Sequence, residues 1–79
     1  MTRFIINKVR ENLENRIKGT VKVSVVNGDL IVDIFAHGLA FRFYRKDIEY
    51  YINQGVTIEI ISNAILKEFL FCIKRNFFK

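Results

Sequence analysis

The sequence predicts an α+β fold, a three-stranded antiparallel β-meander with helices packed on one face in the order α-β-β-β-α-α. Two observations predict the sheet: the dipeptides Asn27-Gly28 and His37-Gly38 each separate stretches in which alternate residues are apolar. A third observation predicts the helices, because apolar residues recur at helical spacing before and after this region. The 79 residues, 1–79, are expected to form a single domain, since they contain no proline, linker or repeat.

The first predicted helix covers residues 3–18. Thr2 is the expected N-cap, and Gly19 is expected to end the helix at the C′ position. Charges of both signs alternate on the polar side, which is typical of a solvated surface. The apolar stripe of this helix consists of Ile6, Val9, Leu13 and Ile17.

Two-residue turns at 27–28 and 37–38 determine how the three strands pair. In this register Asp33 faces Lys22 on one side and Arg42 on the other, so opposite charges meet across the strands. The apolar residues of all three strands then fall on one face. A shift of the pairing register by one residue would turn the apolar residues of the shifted strand to the other face. The predicted core face consists of Val21, Val23, Val25, Leu30, Val32, Ile34, Leu39, Phe41 and Phe43. The predicted outer face consists of Lys22, Ser24, Ile31, Asp33, Phe35, Ala40, Arg42 and Tyr44.

Two more helices are predicted after the sheet. The first covers residues 46–54 and turns Ile48, Tyr51 and Ile52 inward. The second runs from about residue 58 to residue 75, with Thr57 as its N-cap. Its polar strip (Ser62, Asn63, Lys67) is narrow, so we expect this helix to be buried on more than one side. Its main apolar stripe is Ile58, Ile61, Ile65, Phe69 and Cys72.

No catalytic, cofactor-binding or metal-binding motif is visible in the sequence. His37 is the only histidine and Cys72 the only cysteine, so neither residue type can supply a pair of metal ligands. The glycines fall at predicted turns and helix ends and do not form a phosphate-binding loop. We therefore expect a non-enzymatic protein without a cofactor. The lack of a signal pattern and of an apolar run of about 20 residues predicts a cytoplasmic protein with no membrane association.

The predicted outer face, with the basic residues that follow the third strand, is the candidate binding surface. Aromatic and basic groups on an open sheet can stack on bases and contact phosphates, and they can equally anchor a protein partner. The net charge of +5 favours nucleic acid or acidic partners. A protein, a nucleic acid, a second copy of the chain or its own C-terminal tail therefore all remain alternatives. The candidate residues are Lys22, Ile31, Asp33, Phe35, Arg42, Tyr44, Arg45 and Lys46.

Self-association as a homodimer is suggested by the hydrophobic content of 51%, which is high for so short a chain. Part of this apolar surface is expected to cover a partner or a second copy. The candidate residues lie in the last helix and the tail, and they are Leu70, Phe71, Phe77 and Phe78.

The α-β-β-β-α order is similar to that of the double-stranded-RNA-binding domain, which has about this size. That family carries a Pro-His loop between its first two strands and a run of lysines at the start of its second helix. This sequence has Asn27-Gly28 in the first place, and only Arg45 and Lys46 near the second. The similarity is one of topology, and it implies a nucleic-acid-binding module as the alternative function.

Four segments carry a more extensive resemblance: VKVSVVNGDLIVDI (21–34), LAFRF (39–43), KDIEYYINQGV (46–56) and ISNAILKEF (61–69). With the amphipathic first helix and the basic tail, the chain resembles, nearly end to end, small and mostly uncharacterised proteins encoded by phages and prophages of Gram-positive bacteria. The resemblance implies an accessory protein in the cytoplasm of a bacterial host cell that binds a host or phage protein. Inhibition of a host defence system, such as a CRISPR nuclease, is one such activity. Inhibitors of that kind are often acidic mimics of nucleic acid, whereas this chain is basic, which favours occlusion of a protein surface or contact with nucleic acid.

Overall fold

The chain folds into one three-stranded sheet with helices before and after it. A computed structural model describes residues 1–77, and at Phe77 it describes the backbone alone. The antiparallel strands lie in the order β1-β2-β3. This architecture confirms the predicted α+β meander and its α-β-β-β-α-α order. The elements are α1 (Thr2–Glu14), β1 (Thr20–Val26), β2 (Asp29–Ala36), β3 (Leu39–Arg45), α2 (Ile48–Asn53) and α3 (Ile58–Phe77).

Both hairpins have the predicted two-residue turns and the predicted register. The four turn residues have φ angles between 52° and 83°, which is the type I′ geometry that matches the twist of the flanking strands. Asp33 lies opposite Lys22 in β1 and opposite Arg42 in β3. The turns and the charge pairs therefore indicated the same pairing, and the structure adopts it.

The core lies between one face of the sheet and the helices α1 and α3. Most of the predicted core face is buried, while Val23, Val25 and Phe41 are partly buried against it and Leu39 is exposed. Phe41 meets Phe69 of α3 edge-to-face, with ring centroids 5.4 Å apart. The buried residues of this core are Ile5, Val9, Leu13, Ile17, Val21, Leu30, Val32, Ile34, Ala36, Phe43, Ile48, Ile61, Ile65 and Phe69.

Helix α1 is shorter than predicted, because it ends at Glu14 and not at residue 18. Its stripe begins at Ile5, and Ile6 is only partly buried. Ile17 is buried, as expected, but from the connection that follows the helix. The prediction of Thr2 as N-cap is wrong: Met1 holds that position, and the Thr2 hydroxyl donates a hydrogen bond to Glu49 Oε1 at 3.2 Å.

Gly19 serves a different purpose from the predicted helix stop. A Cβ atom at this position would overlap the carbonyl oxygen of Phe35 and press against the Cβ of Ala36. Glycine is therefore required because the connection between α1 and β1 passes directly over the end of β2.

Helix α3 begins at the predicted residue, whereas α2 is shorter than the predicted 46–54, and both helices depart from the prediction on their surfaces. The Ile60 N–H donates to Thr57 Oγ1 at 3.2 Å, which confirms the N-cap of α3. Tyr51 was predicted to face inward but is 50% exposed. Ser62, assigned to the polar strip, is buried and hydrogen-bonded to Asn12 Nδ2 at 3.3 Å. Helix α3 contacts both α1 and β3, while Ile60, Leu70 and Phe71 on the rest of its surface are exposed.

Candidate functional site

The outer face of the sheet consists of the eight residues predicted for it above together with Asp29, and it points away from the core. Alternation along each strand puts these side chains on the side opposite to α1 and α3. Phe35 is 48% exposed and Tyr44 is 51% exposed. Large aromatic side chains are thus presented to solvent on a sheet whose other face is closely packed.

A charged row crosses the middle of the outer face. Arg42 Nε donates to Asp33 Oδ1 at 2.7 Å, and Arg42 Nη2 donates to Asp33 Oδ2 at 3.2 Å. The hydrogen bond from Arg42 holds the pKa of Asp33 below its ordinary value, with a smaller contribution from the charge of Lys22. The two-pronged geometry fixes the plane of the guanidinium group. Since an exposed ion pair adds little stability, its main effect is to orient Arg42.

Tyr44 is held in place by a second carboxylate, Asp29. The Tyr44 hydroxyl donates to Asp29 Oδ2 at 2.6 Å, and the Asp47 N–H donates to Asp29 Oδ1 at 2.9 Å. These two hydrogen bonds lower the pKa of Asp29. The hydrogen bond between Tyr44 and Asp29 also raises the pKa of Tyr44. Next to them the Ile48 N–H donates to the Gly28 carbonyl at 2.9 Å. The first turn of the meander is thereby tied to the start of α2.

The role of Asp29 did not emerge from the sequence, although a signal for it was present. Asp29 shares the outer side of β2 with Ile31, and Ile31 pairs directly with Tyr44. Asp29 is therefore the diagonal neighbour of Tyr44, at a distance that a long side chain can reach. Examining diagonal neighbours as well as direct pairs would have revealed this contact.

Charges on the outer face are balanced. Lys22 and Arg42 are matched by Asp29 and Asp33, all four on the outward side of the strands. The net charge of +5 therefore arises elsewhere in the chain. The face offers oriented aromatic and guanidinium groups without a strong positive field.

The structure separates the predicted binding residues into three places. Six of them lie together on the outer face: Lys22, Ile31, Asp33, Phe35, Arg42 and Tyr44. Arg45 lies on the other side of β3, where its Nη2 donates to Glu68 Oε2 of α3 at 2.6 Å and its Nη1 donates to the Tyr44 carbonyl at 2.9 Å. Lys46 is exposed in the turn before α2. Arg42 and Arg45, two of the basic candidate residues, thus lie on opposite sides of β3.

The residues predicted for self-association lie near the end of α3. Leu70 is 54% exposed and Phe71 is 61% exposed. The Arg75 guanidinium carbon lies 5.9 Å from the centroid of the Phe71 ring. The side chain of Phe77 and all of Phe78 lie outside the described residues.

A groove separates β3 from α3, with a volume of about 530 Å³. Phe43, Phe71 and Cys72 supply its apolar lining, and Arg45 and Glu68 bridge it. A second groove of about 330 Å³ continues towards α2 and shares Tyr44 and Arg45 with the first.

Residues 1–77 contain neither a cluster of metal ligands nor a helix that could span a membrane. In this part of the chain no three side chains of His, Cys, Asp or Glu come together as metal ligands. Likewise, none of the helices described is long and apolar enough to span a bilayer. Comparison of the chain with protein-family models, with curated proteins and with solved structures gave no match.

Proposed function

We propose that the protein is a non-enzymatic binding protein whose outer face docks on a host or phage protein. The observation that carries this proposal is the open face on which exposed Phe35 and Tyr44 stand beside the Arg42–Asp33 ion pair. Tyrosine and arginine are enriched among the residues that dominate protein interfaces. Tyr44 and Arg42 are already oriented by hydrogen bonds to carboxylates, so little side-chain entropy is lost on binding.

The resemblance to phage proteins suggests inhibition of a bacterial defence enzyme, such as a CRISPR nuclease, by covering part of its surface. A mimic of nucleic acid would need closely spaced carboxylates without matching cations. The outer face instead pairs Asp29 and Asp33 with hydrogen-bond donors on Tyr44 and Arg42. This arrangement supports docking against a protein surface over imitation of a phosphate backbone.

Nucleic-acid binding is the second candidate, favoured by the presence of Lys22 and Arg42 on the same exposed face as Phe35 and Tyr44. Stacking on the two rings would be compatible with this placement. The two carboxylates on the face oppose it, because both repel phosphates and Asp33 already engages Arg42. Protein docking is therefore the better-supported function.

Site-specific photo-crosslinking tests the proposed face. A photoreactive phenylalanine derivative is placed at position 35, and a matched derivative is placed at Glu14, which is exposed on α1. We expect the first protein to crosslink to a defined protein in bacterial host extract, and the second to leave that protein unmodified. Equal labelling from both positions, or labelling of nucleic acid alone, would contradict docking through the outer face.

Affinity measurements with the purified partner then separate the two candidates. We expect Phe35→Ala to weaken binding about tenfold or more, as for a central interface residue. Raising the salt concentration should weaken this complex much less than it weakens a nucleic-acid complex. A nucleic-acid complex would behave in the opposite way, with steep salt dependence and strong weakening by Arg42→Ala or Lys46→Ala.

A further inference from the structure

The outer edge of β3 has unused hydrogen-bonding capacity. In a hairpin with a two-residue turn, the residues that flank the turn exchange both backbone hydrogen bonds, and bonded and non-bonded pairs alternate from there. The flanking pair is Ala36 and Leu39, and the next bonded pair is Ile34 and Phe41. Arg42 and Tyr44 occupy non-bonded positions of this ladder, so their N–H and C=O groups point away from the sheet.

One of these outward groups is occupied and others are not. The Tyr44 carbonyl accepts a hydrogen bond from Arg45 Nη1 at 2.9 Å. Within residues 1–77, no backbone hydrogen bond outside the helices and the sheet ladders uses the N–H of Arg42 or of Tyr44. β3 contains no proline, the residue that would prevent pairing at such an edge. The edge is therefore able to pair with another extended chain.

The β3–α3 groove lies next to this edge. A strand added to β3 would run about 4.8 Å away from it and would send alternate side chains to opposite faces. Those on one face would enter the groove and contact Phe71 and Cys72. Those on the other face would continue the outer face beside Arg42 and Tyr44. Backbone pairing and side-chain pockets would thus act together, as in other complexes that extend a sheet.

Charge identifies the kind of segment that fits. Arg42 and Arg45 are balanced by Asp33 and Glu68. Lys67 in the groove forms no ion pair among the described residues, whereas the charge of Lys46, at the continuation of the groove, acts on the Asp29 carboxylate. The uncompensated charge is therefore positive, and carboxylates on the incoming strand would neutralise it.

We propose that the edge of β3 takes an extended, acidic and apolar segment of a partner protein as a fourth strand of the sheet. This proposal rests on the proposed function, because it names the chemistry of the partner segment. A second copy of the chain fits less well, since β3 itself carries two arginines and no carboxylate. A second β3 strand would therefore offer no carboxylate to the positive charge of Lys67 in the groove.

A peptide titration followed by NMR tests the proposal. The probe is a short peptide that alternates valine and glutamate, and the matched control alternates valine and lysine. We expect the first peptide to shift the amide signals of Arg42 and Tyr44 and to slow hydrogen exchange at both. The lysine peptide should leave these signals unchanged. Absence of shifts with the glutamate peptide, or equal shifts with both peptides, would overturn the proposal.

Two substitutions at one position isolate the backbone hydrogen bond. Arg42→Ala and Arg42→Pro both remove the ion pair with Asp33, but only proline removes the outward N–H. We expect the proline variant to bind the glutamate peptide about fivefold more weakly than the alanine variant. Equal affinities of the two folded variants would overturn the proposal. If Arg42→Pro does not fold, Phe71→Ser provides the test: Phe71 is exposed, and unchanged affinity after its removal would exclude the groove.

Phe35→Ala separates failure of this proposal from failure of the proposed function. We expect this variant to bind the peptide normally, since Phe35 does not line the groove. If the outer face docks on a partner but the peptide does not bind, the fourth-strand proposal alone is wrong. In the free protein, amide hydrogen exchange at Arg42 and Tyr44 that becomes slower as the protein concentration rises would identify a second copy as the occupant. That result would also overturn the fourth-strand proposal.

Discussion

The two faces of the sheet are formed by the same three strands but face different surroundings. On β2, Val32 and Ile34 are completely buried, whereas Phe35, directly after Ile34, is about half exposed. Neighbouring positions on one strand therefore belong to different environments. Burial contributes roughly 25 cal/mol per Å² of apolar surface, so the core face provides the stability. The outer face contributes less to stability, and its residues are available for binding.

The largest expected effect comes from removing a core-face side chain. Ile34→Ala should destabilise the protein by about 2–5 kcal/mol, because it removes fully buried methylene and methyl groups and leaves a cavity. Phe35→Ala, at the next position, is the matched control and should cost about 1 kcal/mol or less. Urea unfolding followed by circular dichroism measures both values. Similar losses for the two variants would show that the faces do not differ in this way.

A smaller loss is expected at the point where the α1–β1 connection crosses β2. Gly19→Ala places a methyl group against the Phe35 carbonyl and the Ala36 side chain. Such overpacking should lower the free energy of unfolding by about 1–3 kcal/mol. Lys18→Ala, which changes an exposed neighbour, should have little effect in the same unfolding experiment. A Gly19→Ala protein as stable as wild type would show that the close approach is not required.

Lowering the pH should weaken the hydrogen bonds of Asp29 and Asp33 on the outer face before it affects the packing of the core. The pKa values of Asp29 and Asp33 are both lowered in the folded protein, by hydrogen bonds from Tyr44 and Arg42 respectively. Their contribution to stability is therefore present above the unfolded-state pKa of about 3.9 and is lost as the pH falls through the lower folded values. The free energy of unfolding should decline as the pH falls across this acidic range, and the decline should be shallower in the Asp29→Asn, Asp33→Asn double variant than in the wild-type protein. Identical pH dependence in both proteins would contradict these contacts.

The smallest effect on stability is expected at the exposed apolar side of α3. Leu70→Gln should change the free energy of unfolding by about 0.5 kcal/mol or less. If this surface joins two copies, as the hydrophobic content predicts, the same change should abolish self-association. Sedimentation equilibrium over a range of concentrations measures this directly. A wild-type protein that stays monomeric at high concentration would exclude the homodimer.

Much of the sheet could be predicted because its information is local. Two residues define each turn, and the cross-strand charge pairs lie only a few positions beyond them. The placement of Tyr51 and Ser62 could not be obtained in this way. Their exposure depends on how α2 and α3 sit against the sheet and α1, and helical periodicity contains no information about that packing.

The same limit applies to the candidate site. Strand alternation correctly grouped six of the predicted residues on one face, because side-chain direction follows directly from register. It could not show that Arg45 crosses to Glu68 on α3, a residue distant in sequence. The same strand alternation, extended by one residue from Tyr44 to Arg45, places Arg45 on the side of the sheet opposite to Arg42. The sequence therefore contained the information that separates the two arginines.

The hydrogen bond between Tyr44 and Asp29 has a consequence for how this sequence can evolve. Phe35 and Lys22 can change as the partner changes, since neither supports the fold through a side-chain hydrogen bond that the structure shows. Tyr44 is more constrained, because its hydroxyl group and the Asp47 amide share one carboxylate at the entry to α2. Adaptation to new targets should therefore proceed mainly through positions 22 and 35. Saturation mutagenesis with selection for folded protein should tolerate many residues at these two positions and few at position 44.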